Sequence, residues 1–247
     1  MPATRIIPVL LLNKGGLYKT VKFSKPAYVG DPINAVKIFN EKEADELILL
    51  DFTATKEKRE IDFAKISQIA GEAFMPMAYG GGIRNIEDAR RIFHCGFEKV
   101  VLNSALFNSP DLIRSITSVF GSQAVVVSID VRKDLFGRYR VYSCSGTKNT
   151  GKDPIDWAKD VEKQGAGEIM LNSIDRDGTW NGYDEQLIRA ASSAVSIPLI
   201  ASGGAGSTDD FRNAVHAGAS AVAAGSLFVF QKKGMGVLIS FPTRLKI

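Results

Sequence analysis

The sequence predicts an α/β protein, a (β/α)8 TIM barrel that consists of two pseudo-symmetric half-barrels. Short apolar runs alternate with amphipathic helical patterns from one end of the 247 residues to the other. One sequence pattern also occurs twice: PMAYGGG ends at Gly82, and the similar PLIASGG ends at Gly204, 122 residues later. We expect one domain over 1–247, with half-barrels at about 1–122 and 123–247, because barrels of about 250 residues commonly fold as one unit. An open doubly wound sheet is the alternative, but it does not explain the repeat.

Eight runs rich in β-branched residues are the predicted strands. Apolar runs without strict alternation are typical of parallel strands that are buried on both faces and joined by helices. Three helices are predicted to begin at Asp31-Pro32, Ser109-Pro110 and Asp153-Pro154, since each pair joins a capping side chain to a proline that needs no N–H partner. The predicted strands are Ile6–Leu11, Leu47–Asp51, Met75–Tyr79, Lys99–Asn103, Ala124–Asp130, Glu168–Asn172, Ile197–Ala201 and Ala219–Ala224.

The composition is that of an ordinary globular protein, with 45% apolar and 23% charged residues and a net charge of +4. The mild excess of positive charge favours anionic small molecules and is too diffuse for nucleic-acid binding. Cys95 and Cys144 have no metal-type spacing, so we expect reduced thiols and neither a metal nor a cofactor. The apolar run 6–12 is interrupted by Pro8 and is too short for a membrane span or a signal peptide, which indicates a cytoplasmic protein without membrane association.

The repeated Gly-Gly turns are candidate phosphate sites. A strand that ends in Gly-Gly leaves backbone N–H groups accessible beside a helix N-terminus, whose partial positive charge favours an anion. Glycine is also the usual residue wherever a strand turns sharply, so a single turn is weak evidence. The constant offset, which also pairs Ser104 with Ser226, favours two phosphate sites and a ligand with a phosphate at each end.

Catalytic residues in such barrels lie at the carboxyl ends of the strands. The polar residues at those ends are Asp51, Asn103, Asp130, Asn172 and Ser202, and Lys19 lies in the glycine-rich loop after the first strand. A carboxylate there is a candidate general acid or base, particularly where burial raises its pKa. The alternative is that Asp51 and Asp130 only cap the loops that follow them.

Several stretches resemble the HisF family, the cyclase subunit of imidazole glycerol phosphate synthase, over nearly the whole chain. The resemblance implies a (β/α)8 barrel that forms a heterodimer with a HisH-like glutaminase. Ammonia from that partner enters the floor of the barrel, and the mouth closes an imidazole ring on a substrate with two phosphates. The stretches are RIIPVLLL, ADELILLD, YGGGIRNIEDARR, GSQAVVVSIDVR, GTKNTG, GAGEIMLNSIDRDGTWNGYD and IASGGAGS.

The resemblance also implies roles for individual residues. Asp130 matches a catalytic aspartate, and Lys19, Asp51, Ser145 and Asp177 match positions on the substrate side. One phosphate is expected at Gly82, Asn103 and Ser104, and the other at Gly203, Gly204, Gly225 and Ser226. A ring of charges through which ammonia passes is expected from Arg5, Glu46, Lys99 and Glu168; the alternative for these four residues is a structural salt-bridge plug.

One position departs from the family pattern. The family's first strand resembles IPCLDV, with a catalytic aspartate where this chain has Leu11, and aligning VLLLNK with SIDVRK places Leu11 opposite Asp130. Leucine cannot transfer a proton, and loss of one of two proton-transferring groups costs on the order of 10² to 10⁴ in rate. Asn172 also stands where the family usually has threonine, and the last helix is curtailed.

Four hypotheses follow from these features. These features, Leu11 above all, resemble a divergent branch of the family. In that branch the barrel relays ammonia to a third enzyme that amidates a surface-polysaccharide sugar. The main alternative is an active cyclase of histidine biosynthesis that relies on Asp130, with help from Lys19 or Asp51. The related isomerase barrel of histidine synthesis is disfavoured because it too needs an aspartate on the first strand. A ligand-free interaction module leaves the paired glycine turns unexplained.

Overall fold

The computed structural model describes residues 4–242, and its strands alternate with helices along the chain. Two short 3₁₀ helices, Ser104–Phe107 and Ser122–Ala124, flank the fifth α-helix. The elements are β1 (Arg5–Asn13), β2 (Gly16–Val21), β3 (Ser24–Gly30), α1 (Pro32–Glu41), β4 (Leu47–Asp51), α2 (Ala54–Glu57), α3 (Phe63–Ala70), β5 (Met77–Gly80), α4 (Ile86–His94), β6 (Lys99–Leu102), α5 (Leu112–Phe120), β7 (Val125–Lys133), β8 (Tyr139–Ser143), β9 (Lys148–Asn149), α6 (Pro154–Lys163), β10 (Glu168–Ser173), α7 (Glu185–Ser192), β11 (Leu199–Ser202), α8 (Thr208–His216), β12 (Ala221–Ala224) and α9 (Ser226–Val229).

Eight of these strands form a closed parallel barrel. Their order is β1, β4, β5, β6, β7, β10, β11 and β12, and β12 pairs with β1 to close the sheet. Helices connect the strands, so the predicted (β/α)8 fold is confirmed. The observed β5 and β11 begin after Pro76 and Pro198, later than predicted, because proline has no N–H to donate to the sheet.

Two antiparallel hairpins extend from the mouth of the barrel, and the sequence did not predict them. β2 and β3 follow β1, with Leu11 paired to Tyr18; β8 and β9 follow β7, with Asp130 paired to Tyr142. They lengthen β1 and β7 beyond the barrel. Leu11 and Asp130, the two positions that the internal repeat aligns, therefore each lie at the base of a hairpin.

Two of the three predicted helix starts are confirmed. The side chains of Asp31 and Asp153 accept backbone N–H bonds at the first turns of α1 and α6. The prediction for Ser109 is wrong: α5 begins at Leu112, because the Leu112 N–H donates to the Ser109 carbonyl and closes a turn before the helix.

The chain after α9 contains no further helix up to Pro242, the last described residue. Phe241 packs edge-on against Phe39 of α1 and against Phe228 of α9, with ring centroids 6.3 Å and 5.2 Å apart. The segment that follows α9 thus packs against this side of the barrel through Phe241. Within residues 4–242, no helix has the length and apolar character needed to cross a membrane.

The barrel bore is lined by apolar side chains between a charged floor and a polar mouth. Side chains two residues apart on a strand point to the same face, so Ile7, Val101 and Met170 lie one layer above Arg5, Lys99 and Glu168. The next inward positions after Val101 and Met170 are Asn103 and Asn172, at the mouth. The buried bore residues are Ile7, Ile48, Ala78, Val101, Val126, Met170, Ile200, Ala221 and Ala223.

Candidate functional site

One cavity at the mouth of the barrel brings together every residue predicted for the upper site. It is formed by the carboxyl ends of the barrel strands and the loops that follow them, which is where barrel chemistry is expected. Leu11, Asn172 and Ser202 line it as well. The predicted residues in its lining are Lys19, Asp51, Gly82, Asn103, Ser104, Asp130, Ser145, Asp177, Gly203, Gly204, Gly225 and Ser226.

Asp130 is the carboxyl group best placed for proton transfer. The residue is only 8% exposed; one carboxyl oxygen accepts from the Ser128 hydroxyl at 3.0 Å and the other from the Asn103 amide at 2.9 Å. Burial raises the pKa of Asp130 to about 7, although the Ser128 hydrogen bond opposes that rise. No backbone N–H bond to this carboxyl is found among the described residues. The capping alternative therefore does not apply to Asp130, and its catalytic role stays a prediction.

Asp51 has the opposite environment. Its carboxylate accepts from the Thr53 and Ala54 backbone N–H groups at 3.3 Å and 3.1 Å. Both of its oxygens also accept from the Arg59 guanidinium, at 3.2 Å and 2.9 Å. The capping alternative is therefore realised at Asp51, whose oxygens are already engaged. Sequence reasoning missed Arg59, and the only signal for it was a cation eight residues after the strand-end carboxylate.

The mouth has a polar side and an apolar side. Asp130 and Asn172 lie on the adjacent strands β7 and β10, and Asn103 directly follows β6, the other neighbour of β7. On β1, Leu11 is paired in register with Leu50 of β4, and both side chains line the cavity. Because leucine stands at this position, β1 presents no carboxyl group to Asp130.

A buried ion pair holds the β2–β3 hairpin over the mouth. The Lys19 ammonium lies 2.7 Å from the Asp177 carboxylate, which also accepts from the Thr20 hydroxyl at 3.2 Å. The Lys22 N–H donates to the Asp177 carbonyl at 2.9 Å. Lys19 and Asp177 thus neutralise each other, and the stem of Lys19 lies against Gly225, where an added Cβ would come within 2.9 Å of it.

The Gly-Gly turns require glycine for steric reasons. Gly81 and Gly204 have φ angles of +107° and +118°, and a Cβ at either position would lie 2.2 Å from a backbone oxygen. Helices α4 and α8 begin shortly after the two turns and are capped by Asn85 and Ser207. Both turns therefore need glycine. The Gly82 N–H, which was expected to be free for an anion, donates to the Thr55 hydroxyl at 3.3 Å. Phosphate binding at the two turns stays a prediction.

Two of the three predicted serines, Ser104 and Ser145, take part in hydrogen bonds within the protein. Ser104 accepts from the Cys144 N–H at 2.8 Å, and the Ser145 hydroxyl donates to the Phe52 carbonyl. Ser145 also has a φ of +56°, a strained value for a residue with a side chain. These bonds join the loops after β4, β6 and β8 on one side of the mouth.

The four charged residues predicted at the floor form a closed ring of ion pairs. Arg5 donates to Glu46 at 2.6 Å and to Glu168 at 3.0 Å; Lys99 lies 2.9 Å from Glu46 and 3.0 Å from Glu168. Glu46 is only 2% exposed. Burial lowers the pKa of Arg5, but the hydrogen bonds and charges of Glu168 and Glu46 outweigh burial, so the pKa of Arg5 is raised overall. This geometry fits either a gate or a structural plug. Among residues 4–242, no three His, Cys, Asp or Glu side chains cluster as metal ligands.

Comparison with known proteins agrees with this architecture. A family model described as "Histidine biosynthesis protein" matches residues 5–233. A Pseudomonas aeruginosa protein named "Putative imidazole glycerol phosphate synthase subunit hisF2" is 52% identical and is aligned over 98% of this chain and 97% of its own length. A Leptospira interrogans protein named "Putative imidazole glycerol phosphate synthase subunit HisF" is 48% identical, over 97% and 95%. An Alkaliphilus metalliredigens protein named "Imidazole glycerol phosphate synthase subunit HisF" is 44% identical, over 94% and 92%. The fold, the charged floor and these matches together show that the chain belongs to the HisF family of histidine biosynthesis proteins.

Proposed function

We propose that this protein is the ammonia-relaying barrel of a glutamine amidotransferase complex, with little cyclase activity of its own. A HisH-like glutaminase binds at the floor, and ammonia passes through the bore to a third enzyme, which uses it to amidate a surface-polysaccharide sugar. The observation that carries the proposal is the combination of a complete charged floor with a mouth that lacks a carboxyl group on β1. The sugar as acceptor is supported by the resemblance to HisF-like proteins of amidation systems.

The bore supports a relay for a physical reason. Ammonia is small and neutral, so it can move through a path lined by apolar side chains that excludes ions. The residues directly above the floor, among them Ile7, Ile48 and Met170, are fully buried. The floor ring must open to admit ammonia, because its four ion pairs close it in this structure.

The second candidate is an active cyclase that relies on Asp130, with help from Lys19 or Asp51. The observation in its favour is that burial raises the pKa of Asp130 to about 7, which suits a group that both gives and takes a proton near neutral pH. The cavity around Asp130 also contains every residue predicted on the substrate side. Against it stands Leu11, since ring closure by paired carboxyl groups needs a second proton-transferring residue.

Ring-closing turnover with added ammonium salt distinguishes the two candidates. The assay uses the phosphoribulosyl-formimino substrate of the cyclase and needs no glutaminase. We expect little turnover from the wild-type protein and a gain of about 10² to 10⁴ for Leu11→Asp. Leu11→Asn is the matched control, because it is polar and of similar size but cannot supply a carboxyl proton. Wild-type turnover equal to that of Leu11→Asp would refute the relay proposal and favour the cyclase.

A further inference from the structure

Two buried amide oxygens at the mouth have no hydrogen-bond partner. They are the Oδ1 atoms of Asn103 and Asn172, and Asn172 as a whole is 8% exposed. Buried acceptors are nearly always paired, because an unpaired one loses its bond to water without replacement. Two such oxygens in one small region indicate that a ligand supplies the missing donors.

Both asparagines flank Asp130. Asn103 donates its amide N–H to the Asp130 carboxylate at 2.9 Å, which leaves the Asn103 oxygen pointing elsewhere. Asn172 lies directly beside Asp130 in the register of β10 and β7. Elsewhere in the cavity lining, Leu11 of β1 and Leu50 of β4 present apolar side chains. The Asn172 side chain also hydrogen-bonds to the Asp130 carboxyl, which opposes the rise of the Asp130 pKa. The two unpaired oxygens therefore lie on the same side of the mouth as Asp130, and both are acceptors.

A set of acceptors selects a small molecule that donates several hydrogen bonds. Water donates two, ammonia three and ammonium four. The position also favours a molecule that comes up the bore, because Asn103 and Asn172 follow the buried Val101 and Met170 on the same inward face. Lys19 lines the same cavity, but its ammonium is already paired with Asp177 and does not fill this role.

We propose that Asn103, Asp130 and Asn172 form a binding site at the upper end of the bore in which ammonia is held as ammonium. This inference rests on the proposed relay and adds to it a binding site that ammonia occupies before it reaches the acceptor. It also gives Asp130 a role in a barrel that lacks the second carboxyl group.

The proton needed to form ammonium comes from Asp130. Burial raises the pKa of this carboxyl to about 7, so near neutral pH part of the protein carries it protonated. Arriving ammonia takes that proton and leaves a carboxylate paired with ammonium. When ammonia moves on, the proton returns to Asp130, so the protein is unchanged over one passage.

The test is a titration of the full-length protein with ammonium chloride, with aspartate carboxyl carbons labelled for NMR. Ionic strength is kept constant with sodium chloride, and Asp130→Asn identifies the Asp130 signal. We expect a saturable shift of that signal with half-saturation at roughly 0.1 M or below, because a ligand of one non-hydrogen atom gains limited binding free energy. The Asp51 signal is an internal control that should not respond, since Arg59 already occupies that carboxylate.

Variants and a second cation decide whether the site is specific. Asn103→Leu and Asn172→Leu should each weaken ammonium binding at least about threefold, since each removes one acceptor; Asn213→Leu, the same change on the exposed face of α8, should not. A linear, non-saturating response of the Asp130 signal would overturn the proposal, as would an equal response to potassium, which is similar in size but donates no hydrogen bonds. The potassium comparison uses wild-type protein, so it decides the question even if a variant does not fold.

The titration separates this site from the relay itself, because it uses neither glutaminase nor acceptor. If ammonium binds but ammonia made by a glutaminase at the floor never appears at the mouth, the relay fails while the binding site stands. If ammonia does pass and the Asp130 signal does not respond, the relay stands and the binding site is refuted.

Discussion

Replacing Asp130 by asparagine should change how the stability of the protein depends on pH. In the folded protein burial raises the pKa of Asp130 to about 7 from an ordinary value of 3.8. Between these values the folded state holds a proton that the unfolded state has lost. Since the unfolded state then binds fewer protons, the free energy of unfolding falls as pH rises through this window. Asparagine does not titrate, so the free energy of unfolding of the variant lacks this decrease.

The size of the effect follows from the two pKa values. One pKa unit corresponds to about 1.36 kcal/mol, so the window from 3.8 to about 7 sets an upper limit of roughly 4 kcal/mol. Asp130 is 8% exposed, so solvent screening reduces this limit only slightly. The stability of Asp130→Asn relative to wild type should thus rise by up to roughly 4 kcal/mol between about pH 4 and about pH 8.

Urea unfolding at a series of pH values measures this difference, provided that the m-value stays constant. Asp160→Asn is the matched control, because it removes an exposed carboxyl group on α6 and should show little pH dependence relative to wild type. The charged neighbours Asp177 and Lys19 are paired with each other and remain in both proteins. A stability difference that is constant with pH, or that shrinks as pH rises, would contradict the buried environment of Asp130.

Three further predictions test other parts of the structure. Glu46→Gln leaves two cations at the floor with one carboxylate between them, and the free energy of unfolding should fall by about 3–5 kcal/mol, as measured by urea unfolding; a loss below about 1 kcal/mol would show that the ring is weakly coupled. Asp177→Asn removes the buried partner of Lys19, so amide hydrogen exchange in β2 and β3 should accelerate while exchange in the barrel strands stays the same. Gly81→Ala places a Cβ 2.2 Å from the Asp51 carbonyl at a φ of +107°, so the Tm should fall by several degrees; an unchanged Tm would mean that the turn relaxes freely.

Most of the barrel could be predicted because its signals are local. Strand runs, helix periods and the capping residues Asp31 and Asp153 each depend on a few neighbouring residues. The exceptions have local causes too: Pro76 and Pro198 delay two strands, and a turn after Ser109 delays α5. The hairpins after β1 and β7 were missed because short antiparallel strands beyond a barrel strand carry little apolar pattern.

The candidate site was predictable as a set of residues and not as chemistry. Asp51 and Asp130 both stand at the end of a barrel strand, and sequence alone gave them the same two alternatives. The structure distinguishes them: Arg59 engages Asp51, whereas Asp130 is buried among uncharged partners. The two unpaired asparagine oxygens had no sequence signal, since hydrogen-bond partners are set by packing.

The sequence by itself determined the order of strands and helices, the repeated glycine turns, the identity of the four charged floor residues and the absence of a carboxyl group at position 11, where Leu11 stands. Only the tertiary structure decided which charges meet and which groups remain free. Arg5 and Glu168 are 163 residues apart in the chain and lie 3.0 Å apart in the ring; Lys19 and Asp177 are 158 residues apart and lie 2.7 Å apart over the mouth. Secondary structure follows from the conformational preferences of neighbouring residues, whereas burial, pairing and pKa depend on what the closed barrel brings into contact.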